Sequence, residues 1–380
     1  MFAGMDLSVI LTYRCQSRCS MCQVWQHPSV PAEEIGPATL AKLPNGFRTI
    51  TLTGGEPTLR EDLPELAAVL RPKTRRLVVM TNGLLAEPLA ELVARWPDIA
   101  IRVSVDGHGA KNDTIRGEEN GYARKMATVR HLLAAGARDV GLAVTIQDDN
   151  CDQLLALFKM AQSFGGDISL ATLHNGFLFH KIDNEPYNRL RTARAIQPLI
   201  TELLATRRPR FWRQAYFALG LMKKILGQPR GWRCPAGRDF LYLDPWGRLY
   251  ACPIRPDLEM GDLNIGTWRS LLKSPGAAEA RTRALRCTHN CWLTDHARPA
   301  LRNHRWPRLP SWRAWRWLVA NKVRVTLGHP PPFERDVPFH DMAQGFIAPR
   351  RESWLGRPYT PVEQVKTERP YGAFNNVMNK

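Results

Sequence analysis

Tyr13-Arg14-Cys15-Gln16-Ser17-Arg18-Cys19-Ser20-Met21-Cys22 sets three cysteines in the spacing C-x3-C-x2-C. The stretch follows Leu7–Thr12, a run that reads as a β-strand, so the cysteines fall in the loop at a strand's end. Three thiolates on one short loop can hold three irons of a four-iron cluster and leave the fourth iron open to a small molecule. The alternative is a zinc knuckle. Zinc usually takes four protein ligands in paired C-x2-C form, and no fourth ligand lies nearby in sequence.

Thr53-Gly54-Gly55-Glu56-Pro57 closes the next strand-like run, Arg48–Leu52. Glycines after a strand let backbone approach a ligand closely, and a carboxylate beside them can accept from an ammonium group. A plain strand-to-helix turn would use the same glycines. Taken together and in this order, C-x3-C-x2-C and GGEP resemble the radical S-adenosylmethionine (radical SAM) superfamily. The resemblance implies that Cys15, Cys19 and Cys22 bind the cluster. It implies that the methionine moiety chelates the open iron and that Gly54, Gly55 and Glu56 hold its amine.

Further positions carry the same resemblance. Thr81-Asn82-Gly83 matches the family's TNG run, which places Asn82 on the pocket. Ser104 and Asp106 share one face at the end of the run Ile99–Val105 and suit ribose hydroxyls; Asp106 could equally cap a helix or turn. Arg116 resembles the arginine that pairs with the methionine carboxylate, a task that fits a bidentate fork, although it could also be a surface arginine. Met21 stands where the family more often has an aromatic residue near the adenine, and methionine can fill that space.

The chain has 380 residues, 44 % of them hydrophobic, with no apolar run long enough to span a bilayer. No basic region precedes the first apolar run, so no signal peptide is expected. Seven of the eight cysteines fall in two spaced groups, which reads as metal ligation in a reducing cytoplasm rather than disulfides. The net charge is +18, and its placement is uneven. Seven basic residues and no acid lie between Arg207 and Arg230, and eight basic residues and no acid between Ala297 and Phe333. The core is therefore near neutral, and the positive field belongs to two late segments.

Strand-like and helix-like runs alternate through the first part of the chain. The strands are Leu7–Thr12, Arg48–Leu52, Arg76–Met80, Ile99–Val105, Val140–Ile146 and Ile168–Ala171; the helices include Pro31–Lys42, Leu63–Leu70, Glu87–Arg95, Gly121–Ala135 and Asn150–Phe164. Alternating units imply an α/β fold on a parallel sheet. The pattern leaves a doubly wound sheet open, and the resemblance implies a partial (βα)6 barrel. The expected organisation is a barrel over 1–180 and a helical connector with a basic amphipathic helix over 181–231. A small auxiliary domain over 232–296 follows, then a basic, Trp-rich segment over 297–328 and a Pro-rich, poorly ordered tail over 329–380.

Cys234, Gly247 and Cys252 read as C-x12-G-x4-C, and the residues between the cysteines look like a hairpin around Asp244-Pro245-Trp246-Gly247. A hairpin brings its ends together, so Cys234 and Cys252 can share a metal. Cys287 and Cys291 follow as C-x3-C. The first part resembles the opening of the SPASM and twitch extensions behind radical SAM barrels. That implies a second four-iron cluster on Cys234, Cys252, Cys287 and Cys291; structural zinc is the alternative. Cys151 reads as a buried thiol; His289 and His296 are spare candidate ligands that read first as ordinary polar residues.

The resemblance implies reductive cleavage of S-adenosylmethionine to a 5′-deoxyadenosyl radical and hydrogen abstraction from a substrate. The second cluster would support net oxidation. No proton-transfer residue stands out. The expected substrate is small or lipid-linked and anionic, with an electron donor such as flavodoxin or ferredoxin. One alternative is a peptide-modifying maturase, against which stands the early first strand, with no room for an N-terminal peptide-recognition domain. The other is a non-catalytic iron–sulfur adaptor on nucleic acid or membrane. The amphipathic run Phe211–Leu226 and the tryptophans Trp306, Trp312, Trp315 and Trp317 suit an anionic membrane surface, phosphate contact, or a packed helix with a solvated back. The expected location is cytoplasmic, with peripheral contact at the inner membrane surface.

Overall fold

The structure is a computed structural model, and it describes residues 4–301 and 311–337. The apolar runs form β1 (Asp6–Ile10), β2 (Phe47–Thr53), β3 (Thr74–Thr81), β4 (Ala100–Ser104), β5 (Asp139–Ile146) and β6 (Ile168–Thr172). Between them run α1 (Pro37–Ala41), α2 (Leu63–Leu70), α3 (Glu87–Arg95), α4 (Ala110–Arg116), α5 (Gly121–Ala134) and α6 (Leu154–Ser163). These strands pair in parallel in the order β6-β5-β4-β3-β2-β1, which never reverses. Right-handed crossovers then place the helices on one face. A doubly wound sheet needs a reversal to cover both faces. The wall is that of an unclosed barrel, as expected, with strand ends within two residues of the sequence reading.

One expected helix is broken. Pro31–Lys42 forms a single 3-10 turn, Pro31–Glu33, and then α1. Glu34 between them is extended because its carboxylate turns inward. It is fully buried and accepts from Thr12, Ser29, Arg14 and Arg60. Satisfying a buried ion outweighs continuing an exposed helix.

After β6 come α7 (Arg189–Ala195), α8 (Gln197–Ala205) and α9 (Pro209–Ile225). The expected hairpin then forms as β7 (Phe240–Leu243) and β8 (Arg248–Tyr250). Its turn is held by Asp244 Oδ1, which accepts from Trp246 N at 3.0 Å and Arg248 N at 2.8 Å, with Gly247 at φ +88. The hairpin does not stand apart. β7 pairs in parallel with β1, Ser8 opposite Tyr242, so the sheet continues through β7 and β8 to β9 (Glu259–Asp262), a strand the sequence reading missed. The last helices are α10 (Trp268–Lys273), α11 (Pro275–Leu285), α12 (Thr294–Ala300), α13 (Trp312–Thr326) and α14 (Phe333–Asp336).

The amphipathic run in α9 is helical as expected, but its apolar side is not available to a membrane. Phe211, Ala215, Ala218, Leu219, Met222 and Ile225 are buried, and the helix packs on α7, α8, β6 and α13. Lys224, expected on the solvated side, turns inward to donate to Thr172 Oγ1 at 2.8 Å and Leu173 O at 2.6 Å. Trp292 closes on Gly220, where a Cβ would meet its ring at 2.0 Å. Trp306 and most of the Pro-rich tail lie outside the described residues. Among the described residues no helix is long and apolar enough to cross a membrane.

Candidate metal and nucleotide site

The cysteine loop is seated between the ends of β2 and α4. Gly55 N donates to Thr12 O at 2.7 Å and Glu56 N to Arg14 O at 2.8 Å. A Cβ on Gly54, at φ +148, would stand 2.3 Å from Thr12 O, and one on Gly55 would stand 2.2 Å from Arg14 O. Only glycine permits this approach. On the other side Arg18 N donates to Arg116 O at 3.0 Å and Ser20 N to Ile115 O at 2.9 Å. There Gly117, left-handed at φ +59, leaves no room for a Cβ beside Arg18 O.

This seating holds Cys15, Cys19 and Cys22 as neighbours without disulfides. Burial pushes the Cys15 thiol up to about 11 and Cys22 up to about 12, with the adjacent thiols adding to both, and burial raises Cys19 as well. A cationic metal is what converts such buried thiols to thiolates. Among the described residues no three His, Cys, Asp or Glu side chains converge as ligands of one ion do. In a four-iron cluster each thiolate takes its own iron, so the sulfurs share a concavity rather than a point. The loop and its glycine cradle fit that group.

Glu56 is fully buried at the floor. Its carboxylate accepts from Thr58 N at 3.0 Å, Thr58 Oγ1 at 2.7 Å, Thr81 Oγ1 at 2.8 Å and Asn82 N at 2.5 Å. Burial pushes its pKa up, and these donors pull it back. Asn82 Nδ2 donates to Ser17 Oγ at 3.0 Å, tying the TNG turn to the cysteine loop. Met21 is buried, and its carbonyl accepts from Asn184 Nδ2 at 2.9 Å. Ser104 is half-buried at the end of β4.

Asp106 and Arg116, expected at the ribose and the methionine carboxylate, also meet each other. Arg116 Nη1 donates to Asp106 Oδ2 at 2.6 Å, and Thr145 N to Asp106 Oδ1 at 2.6 Å, so each carboxylate oxygen accepts one bond within the protein. Arg116 also pairs with Glu118, which pairs with fully buried Lys125 at 2.5 Å. Two acids and two bases alternate behind the loop, and Ser17 joins them through Glu118 at 2.6 Å. Burial lowers Lys125 to about 8, with Arg116 adding to the effect. Sequence reading missed Glu34, Arg60, Glu118 and Lys125, since charged residues give no sign of burial without their partners. Ser17, between two cluster cysteines, was the available cue.

The second group also comes together. Cys234 and Cys252 sit at the two ends of the hairpin, and Cys287 and Cys291 in the loop after α11; on top of burial, Cys291 and Cys287 raise Cys234, Cys291 and Cys234 raise Cys252, and Cys287 raises Cys291. Burial pushes Cys234 up to about 12 and raises Cys252 and Cys291. Arg230 braces the loop, donating to Cys287 O and His289 O, with Nη1 3.8 Å from Cys291 Sγ. Ile254 N donates to Cys252 Sγ at 3.4 Å. His296 is buried with Nδ1 3.9 Å from Cys291 Sγ, and burial lowers it to about 3, keeping it neutral. Cys151 is buried near Asp148 O, away from both groups.

Residues 9–161 match the family model described as the Radical SAM superfamily. The chain is 34 % identical over 204 residues to Pre-heme d1 synthase of Dinoroseobacter shibae, covering 51 % of this chain and 50 % of that protein. It is 29 % identical over 163 residues to Sporulation killing factor maturation protein SkfB of Bacillus subtilis, covering 42 % and 40 %. The chain thus spans half or less of these relatives' lengths. It shares the fold of Streptococcus suis SuiB bound to S-adenosylmethionine, with TM-score 0.55 and 16 % identity over 74 % of this chain and 68 % of that one. The cysteine loop and glycine cradle lie inside the matched segment and the parallel wall extends just beyond it, so this part of the chain is a Radical SAM domain.

Proposed function

We propose that this chain is a radical SAM enzyme that takes hydrogen from a small or lipid-linked anionic substrate. Cys15, Cys19 and Cys22 would hold the four-iron cluster, and S-adenosylmethionine would bind against Gly54, Gly55, Glu56 and Asn82. The observation that carries this reading is the contact of the Gly54-Gly55 backbone with Thr12 and Arg14, too close for any other residue. When bound, the cluster and S-adenosylmethionine supply one-electron cleavage of a sulfonium and hence hydrogen abstraction from unactivated carbon.

The chain's own residues would do the positioning. Glu56 fixes the turn that faces the methionine amine, and Asn82 holds Ser17 and with it the loop. Met21 and Ser104 would flank the nucleotide at the adenine and ribose. The Arg116–Asp106 pair would act from behind, fixing the α4 carbonyls that receive the loop. A twitch-like second site on Cys234, Cys252, Cys287 and Cys291 would hold another cluster and accept the substrate's electron; Arg230 beside it favours the reduced, more negative state. An electron donor such as flavodoxin or ferredoxin would reduce the first.

A peptide substrate is the second reading. It is favoured by the relative named as a killing-factor maturation protein, whereas the relative named for pre-heme d1 favours a small molecule. Anaerobic reconstitution with dithionite and S-adenosylmethionine tests the proposal: 5′-deoxyadenosine should accumulate and should vanish in Cys15→Ala. Absence of cleavage with a filled first cluster would leave a binding protein instead of an enzyme.

A further inference from the structure

Eight large hydrophobic side chains are exposed among the described residues, and five lie on α13 and its C-terminal edge. Trp312 is 65 % exposed, Trp315 42 %, Val319 45 %, Val323 53 % and Leu327 69 %. Steps of three and four residues put them in one line along the helix. The two tryptophan rings stack at 5.1 Å, their planes 14° apart.

The opposite face fixes the direction of this line. Ala314, Leu318 and Asn321 are buried, and the helix packs on α8 and α9. Lys322 Nζ donates to Leu204 O at 2.7 Å and Thr206 O at 3.1 Å, at the end of α8. Trp317 Nε1 donates to Asp336 Oδ2 at 2.6 Å and its ring meets Tyr216. The helix is therefore seated by its inner side, and the outer line is surplus to the core. Arg313, Arg316 and Arg324 are exposed along and beside the line. No acid occurs between Ala297 and Phe333.

We propose that this ridge docks the protein on an anionic lipid surface. One helix on the outside of two others is convex, and a plane that yields can meet all five side chains at once. Indole rings seat at the boundary of headgroup and acyl chain, and arginines beside them meet lipid phosphates. A second copy is disfavoured, because pairing the ridge with itself opposes Arg313, Arg316 and Arg324 to their own kind with no acid between. Residues 338–380 are a poor cover on charge, with six basic and four acidic residues. The inference is independent of the chemistry at the cysteines.

The test is flotation of the full chain with phosphatidylcholine vesicles, with and without phosphatidylglycerol, at low and high salt. Trp312→Ser/Trp315→Ser and Arg313→Gln/Arg316→Gln are the variants; all four side chains are exposed, and circular dichroism checks that the fold is kept. The full chain should float with the anionic vesicles. The tryptophan pair should reduce binding about tenfold or more at both salts, and the arginine pair about tenfold at low salt. Failure to float at low salt, or flotation unaltered by the tryptophan pair, overturns the proposal. So does a vesicle-independent dimer that the tryptophan variant disperses, which would assign the ridge to a second copy.

Discussion

Gly55→Ala is a one-carbon probe of how the cysteine loop is held. The added Cβ would lie 2.2 Å from Arg14 O, 2.7 Å from Arg14 C and 2.9 Å from Tyr13 C, all backbone atoms that no rotamer can move aside. Carbon contacts settle near about 3.5 Å, so Arg14 has to withdraw by roughly 1 Å. That lengthens the 2.8 Å bond from Glu56 N to Arg14 O beyond bonding distance and strains the 2.7 Å bond from Gly55 N to Thr12 O. Losing one such bond, stranding its buried N–H and weakening the other costs about 3 kcal/mol together. The displaced residue adjoins Cys15, so the same variant should also lose first-cluster iron. Denaturant unfolding and iron and sulfide counts on anaerobically purified protein read both effects. Gly36→Ala is the control, since a Cβ there meets nothing within 4 Å. Wild-type iron together with stability within about 0.5 kcal/mol in Gly55→Ala, or equal damage from Gly36→Ala, would refute the reasoning.

Glu34→Ala should destabilise by about 3 kcal/mol in denaturant unfolding, the low end for a broken buried pair because Asp62 still pairs with Arg60. Asp244 is pushed up to about 7 by burial, so between its ordinary 3.8 and 7 the folded chain holds a proton that the unfolded chain has released. Stability from this group is thus present at acid pH and lost as pH rises through 7. Asp244→Asn keeps the acceptor for Trp246 N and Arg248 N, and it should be more stable than wild type at pH 8 by up to about 4 kcal/mol. No difference between pH 5 and pH 8 would count against a buried carboxyl there. Arg230→Met should release the Cys287–Cys291 loop and lower iron from about eight to about four per chain, with the first cluster kept; unchanged iron would remove Arg230 from that site.

The parallel wall was legible because six apolar runs alternate with helical ones, and buried parallel strands read as such runs. The cysteines and glycines were legible because spacing carries their geometry. What stayed hidden depended on partners distant in sequence. Nothing in Pro31–Lys42 says that Glu34 faces Arg60, so a helix was the natural expectation for that run. Asp106 and Arg116 each suit a ligand when taken singly; their 2.6 Å pairing arises only when the end of α4 comes back beside the residue that follows β4. β9 is four residues long and contains Gly261, too short and too weak in strand propensity to register. α9 shows what an amphipathic pattern leaves open: its periodicity fitted a membrane, a phosphate or the protein itself, and the surface it matched was the protein's own.

The parallel ladder between β1 and β7, with Val9 opposite Leu243, joins the strand leading into the first cysteine triad to the strand opening the second group. The first triad and the hairpin cysteines Cys234 and Cys252 are therefore carried on one continuous sheet, and swinging the hairpin away from the triad would tear that seam.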